Sequence, residues 1–234
     1  MRVCVYVYRS ITIHSFPRRT RYTRRLISSP RTLLTPLNFP TTTQVLVSSF
    51  EEDLPKESVQ NASEYATLTA THKALDVAAQ LTHNSNNDVD LIISADTVVE
   101  CQGHILEKPS DHEDARKMLE LLSGRRHYVH TGVALLTPTT ATATATTPTS
   151  GWDVHSFVET TTVVFDSLPP GEIEAYIGSG EPWGKAGSYG IQGRAAPFVK
   201  SIEGCYFNVV GLPLSRVSRE IQYLIGNGRM VLDA

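Results

Sequence analysis

Between Gln44 and Gly226 the hydrophobic pattern changes period repeatedly, and each change marks an element. QVLVSSF, residues 44–50, reads as a short strand that ends at the acidic turn Glu51–Glu52–Asp53. In NASEYATLTATHKALDVAAQL, residues 61–81, Tyr65, Leu68, Leu75, Val77, Ala78 and Leu81 recur mostly at three- or four-residue spacing, which predicts a helix with Ser63 as its cap. NSNND at 84–88 breaks it. VDLIISADTVV, residues 89–99, is a continuous apolar run with β-branched members. That is the pattern of a strand covered on both faces, and it implies a parallel, helix-flanked sheet.

SDHEDARKMLELLSG, residues 110–124, predicts a helix capped by Ser110, with Met118, Leu119, Leu121 and Leu122 inward and Gly124 as its stop. RRHYVHTGVALLT at 125–137 and DVHSFVETTTVVFDSL at 153–168 read as two strands of a long hairpin. The Thr/Ala stretch between them, 137–151, has nothing to bury and is expected as an extended surface loop. PPGEIEAYIGSG predicts a short helix, the glycine-rich run 184–204 closes into a strand, and LPLSRVSREIQYLIG is a terminal amphipathic helix. Strands alternating with helices, plus one long hairpin, predict an α/β domain with a mixed sheet.

Composition adds limits. With 234 residues, 41% hydrophobic and 19% charged, the chain suffices for one large domain or two small lobes. A net charge of −3 gives no reason to expect nucleic acid or an anionic membrane as a partner. The charge is unevenly spread, because residues 1–50 hold eight arginines and no Asp or Glu. Met1–Ile27 is Arg-rich, Ser/Thr-rich and acid-free, the composition of a transit peptide or of an atypical chain start, and is expected to stand outside the fold. Cys4, Cys101 and Cys205 form no CxxC or Cys/His spacing, so neither a disulfide framework nor a zinc site is suggested. No apolar run approaches the roughly 18 residues of a membrane span. A soluble, cytoplasmic chain is expected, with a mitochondrial address as the alternative that the basic segment admits.

Candidate chemistry centres on Asp96, an acid at the carboxyl end of a buried strand, where ligand crevices form in open α/β sheets. Alone it reads first as a turn cap. Lys108 follows the short turn CQGH, and a hairpin there would bring it back beside Asp96, a pairing suited to a metal–phosphate site. GKAGSYGIQG, residues 184–193, holds four glycines that would let backbone amides approach phosphate oxygens, with Lys185 as a cation, although it matches neither the P-loop nor GxGxxG. A plain surface loop explains it equally well.

SADTVV, ILEKP, DARKMLELLSGRRHYVHTGVAL, KAGSYGIQG and NVVGLPLSRV stand in the order and spacing of the Maf family of nucleoside triphosphate pyrophosphatases, which the chain resembles from about residue 28 to 226. The resemblance implies an elongated Maf/ITPase-like α/β fold of two lobes with a central cleft, usually homodimeric. It also implies metal-dependent hydrolysis of nucleoside triphosphates to the monophosphate and pyrophosphate. Residues 28–234 would form this domain, with the loop 137–151 inserted. Lys73, Asp96, Lys108 and Gln192 match the family's site residues, and Glu52 its acidic position. The family's S-x-S-P-R-R turn has its nearest counterpart in ISSPRT, where Ser29, Pro30 and Arg31 match but Ile27 and Thr32 depart from the pattern. Arg31, Thr97 and Gln192 together imply the branch acting on dTTP and UTP. By this resemblance Glu52 and Asp96 hold Mg²⁺ or Mn²⁺, with Asp96 also the catalytic base. Arg31, Lys73 and Lys108 bind the phosphates, and Thr97 and Gln192 meet the base edge. The departure at Thr32 motivates an alternative, a nucleotide-binding or regulatory protein of impaired turnover.

Overall fold

The computed structural model describes residues 4–10, 41–52, 54–82, 89–139 and 151–230. In chain order the elements are β1 (Cys4–Ser10), β2 (Thr41–Val47), α1 (Ala62–Thr82), β3 (Leu91–Cys101), β4 (His104–Leu106), α2 (His112–Leu122), β5 (Arg126–Pro138), β6 (Trp152–Phe165), α3 (Pro170–Gly178), β7 (Val199–Glu203), α4 (Tyr206–Val210) and α5 (Leu214–Gly226). The strands form one sheet in the order β2-β1-β3-β5-β6-β7, with β4 hydrogen-bonded to β3 beside that path.

The expected α/β sheet flanked by helices is present, but its direction differs from the expectation. Every pairing among the described residues is antiparallel, from β1 on β2 to β6 on β7. The apolar run of β3 reports burial on both faces, which helices on either side supply whatever the direction of the neighbouring strands. Ile92 meets Ala70, Ala74, Val77 and Ala78 of α1 on one face, while Leu91 and Ile93 meet Val217, Ile221 and Leu224 of α5 on the other.

The long strands carry two separate apolar groups along their length, in keeping with two lobes. At one end the α1 and α5 layers cover Leu91–Ile93 and Val133–Leu136. At the other, Val99, Val129 and Phe165 pack with Leu119 and Leu122 of α2 and Ile173 and Ile177 of α3. Asp96 and Gly132, paired across β3 and β5, fall between them.

The first 27 residues are not wholly outside the fold. Cys4–Ser10 forms β1 between β2 and β3, with Tyr6 opposite Ile93 and Val45. The sequence CVYVYRS is rich in β-branched and aromatic residues, a strand composition that the arginine-rich average over 1–27 conceals. Among the described residues no helix is long and apolar enough to cross a membrane. Residues 140–150 of the Thr/Ala stretch lie outside the described residues, but the hairpin it was expected to join is present and pairs out to Pro138 and Trp152.

Candidate active site

Asp96 owes its place to the strand alternation. Successive side chains of β3 point to opposite faces, so Ile92, Asp96 and Val98 look toward α1. A carboxylate in that row, only 7% exposed, requires a partner. Lys73 provides it from α1, with Nζ 2.5 Å from Asp96 Oδ1 and the lysine itself 1% exposed. The same ammonium lies 3.2 Å from Glu52 Oε1, and Lys108 pairs with the other oxygen of Glu52. Two acids and two lysines thus form a chain, Asp96–Lys73–Glu52–Lys108, in which each charge is balanced.

Three local structures bring these residues together. A two-residue turn at Gln102 and Gly103, with φ of 51° and 79°, closes the β3–β4 hairpin. Its register pairs Val99 with Leu106, and carried two residues further it brings Lys108 level with Thr97, one residue from Asp96. Glu52 is delivered by the segment after β2, which Asp76 of α1 tethers: its carboxylate accepts from Ser48 Oγ and Ser49 N at 2.7 Å and from Ser49 Oγ at 2.9 Å. Lys73 is set by close seating of α1 on the sheet. That helix buries mainly alanines, Ala66, Ala70, Ala74 and Ala78. Where it crosses Gly132, a Cβ would press into the Ala66 and Thr67 backbone.

The electrostatics separate the two acids. Burial pushes the Asp96 carboxyl above its usual value, and the Lys73 ammonium offsets this only in part. Burial acts on Glu52 in the same direction, but the charges and hydrogen bonds of Lys73 and Lys108 outweigh it and hold Glu52 below the usual carboxylate range. One acid is thereby kept as a firm anion, and the other can exchange a proton nearer neutrality. Hard oxygen donors of this kind suit Mg²⁺ or Mn²⁺, which retain waters and need few protein carboxylates. Among the described residues no group of three or more His, Cys, Asp and Glu converges on a point.

The remaining expected residues are placed differently. Thr97 faces away from Asp96, its hydroxyl 2.9 Å from that of Thr131, which in turn donates to the Asn208 carbonyl of α4 at 3.0 Å. Gln192 is exposed in the glycine-rich loop. That loop docks on the segment after β4 that carries Lys108, with Gly187 N donating to the Glu107 carbonyl at 3.1 Å. Lys185, a candidate cation, donates instead to the Glu181 carbonyl. Ser29, Pro30, Arg31 and Thr32 lie outside the described residues. Sequence reasoning also missed Tyr65 and Glu107. The phenol donates to Glu107 Oε1 at 2.6 Å, the two forming a second wall of the same recess, and Lys56 pairs with Oε2 at 2.7 Å. Tyr65 stands two helical turns before Lys73, so the 65–69–73 spacing was the available signal.

Residues 28–224 match the family described as Maf-like protein. The chain belongs to the Maf family. A Maf relative from Geobacillus sp. (strain WCH70), named dTTP/UTP pyrophosphatase, is 46% identical over 186 residues, 77% of this chain and 86% of its own. Relatives of the same name from Carboxydothermus hydrogenoformans and from Bacillus cereus (strain ZK / E33L) are 46% and 40% identical, covering 69% and 76% of this chain and 78% and 83% of theirs. The Maf match begins at residue 28, so β1 contributes a strand from outside it.

Proposed function

We propose that this chain is a nucleoside triphosphate pyrophosphatase that acts on dTTP and UTP. The observation that carries the proposal is the buried lysine, Lys73, held between Asp96 and Glu52 in a chain whose relatives are named for that activity. The buried pair, Lys73 and Asp96, contributes little to stability by itself, since desolvation offsets its Coulomb gain. Its value is that the pairs can be exchanged. Lys73 and Lys108 would turn from carboxylates to phosphate oxygens, with Arg31 as a further phosphate contact, and Glu52 and Asp96 would hold a divalent cation. Bound there, Mg²⁺ or Mn²⁺ supplies neutralisation of the charge on the phosphates.

Asp96 accepts a proton from a water whose oxygen bonds to the α-phosphorus. The bond from that phosphorus to the bridging oxygen breaks, and its electron pair leaves on pyrophosphate, giving the nucleoside monophosphate. Gln192 offers an amide donor and acceptor that can pair with the O4/N3 edge shared by uracil and thymine. Thr97 stands near the base edge only through its strand, because its hydroxyl is engaged with Thr131. Nothing favours the impaired alternative, since the four charged groups remain in contact.

A panel of triphosphates at equal concentration with Mg²⁺ tests the reading. Pyrophosphate release should rank dTTP and UTP above CTP, ATP, GTP and methylated GTP, because a site built on hydrogen bonds rejects edges that leave its groups unpaired. A purine triphosphate ranking first would overturn the specificity, and release from none of them would overturn the activity.

A further inference from the structure

The recess beside Asp96 carries a polar group that the steps above leave unused. Thr69 lies on α1 one turn after Tyr65 and one turn before Lys73, so the three side chains share a face. It is 1% exposed, and its Oγ1 has no hydrogen-bond partner among the described residues. A threonine inside a helix ordinarily bonds the carbonyl four residues back. Thr67 and Thr71 of the same helix do so, to Ser63 and Thr67 at 2.8 Å each. Thr69 does not. It lines instead the small recess bounded by Glu52, Tyr65, Asp96, Glu107 and Lys108. A buried hydroxyl left unpaired costs its full desolvation, so this position calls for a polar occupant.

The recess encloses about 10 Å³, close to the smallest space that holds one water molecule. A single water fits such a volume, and there it has polar partners on two sides. We propose that this recess holds the attacking water and that Thr69 is a positioning residue for it, an inference that rests on the pyrophosphatase reading. With Asp96 accepting one proton, a second hydrogen bond at Thr69 Oγ1 fixes the orientation of the water. Its remaining lone pair is thereby turned toward the α-phosphorus. Thr69 acts on the attacking step and not on substrate capture, which is the task of the lysines.

The test compares Thr69→Val and Thr69→Ser with the parent in steady-state pyrophosphate release from dTTP with Mg²⁺, alongside thermal melts. Valine keeps the shape and removes the hydroxyl. Its kcat should fall about tenfold, the size of one lost hydrogen bond, with KM within about twofold and Tm equal to or above the parent's. Serine should stay within about threefold of the parent. Valine at the parental kcat, serine as slow as valine, or a valine Tm several degrees low would each overturn the inference, the last by showing a structural partner for the hydroxyl. An active parent with any of these results leaves the pyrophosphatase reading standing; a parent that releases no pyrophosphate overturns both.

Discussion

At the scale of single residues, burial sets the chemistry. Asp96 must be ionised to accept a proton, and its carboxyl is raised by burial. As pH falls, kcat/KM, which reports the free enzyme, should therefore decline on a limb lying above about 4, the ordinary aspartate value, and a limb at or below it would show that Asp96 is not the titrating group. A second residue sets acid stability. His127 is buried against Phe165 and Tyr189, with Nε2 2.9 Å from the Tyr189 hydroxyl, and desolvation lowers its pKa to about 4. Because the folded value lies below the unfolded one, the unfolded chain binds the extra proton. Stability is intact above about 6.5 and is lost as pH falls through about 4, by up to about 3 kcal/mol. Urea titrations across that window should show a shallower decline for His127→Gln than for the parent; equal slopes would mean that His127 does not drive the loss.

Elements are positioned by features that differ in how visible they are in sequence. The helix over 61–81 was legible from its period, but its cap was not Ser63. Asn61 accepts from Glu64 N at 2.9 Å while Glu64 accepts from Gln60 N at 2.6 Å, and Ser63 turns inward to His130 Nδ1 at 3.0 Å. Likewise the second helix is capped by Asp111, which accepts from Asp114 N at 2.8 Å, rather than by Ser110. Both misplacements are short shifts in a run of Ser, Asp and Asn, where several residues offer the same acceptor. The inward alanines of α1 were harder to read, since their importance lies in what they permit: a helix close enough to place Lys73 on Asp96. Gly132→Ala should force α1 outward, lowering stability by about 1–3 kcal/mol and pyrophosphate release with it. An alanine variant matching the parent in both Tm and rate would refute the close-seating account.

For the whole molecule, the fold class and charged cluster were legible because each rests on local sequence: periodicity for the elements, and family motifs for Asp96, Lys108, Lys73 and Glu52; Asp96 itself lies in the middle of β3 and not at its expected carboxyl end, because the strand runs on to Cys101. The antiparallel sheet was not legible, since two-sided burial of β3 is indifferent to strand direction, and β1 was hidden within a basic average. Thr97 lines the recess beside Asp96, but its hydroxyl turns to Thr131, a side-chain direction that a motif does not state. The central claim, that the buried acid in the middle of β3 performs hydrolysis, is tested most directly by pyrophosphate release from dTTP with Mg²⁺ in Asp96→Asn against the parent. The change is nearly isosteric, so circular dichroism and Tm should stay close to the parent's while the rate falls by at least about 100-fold, as when a general base is removed. A folded Asp96→Asn variant that hydrolyses dTTP at the parental rate would contradict the account.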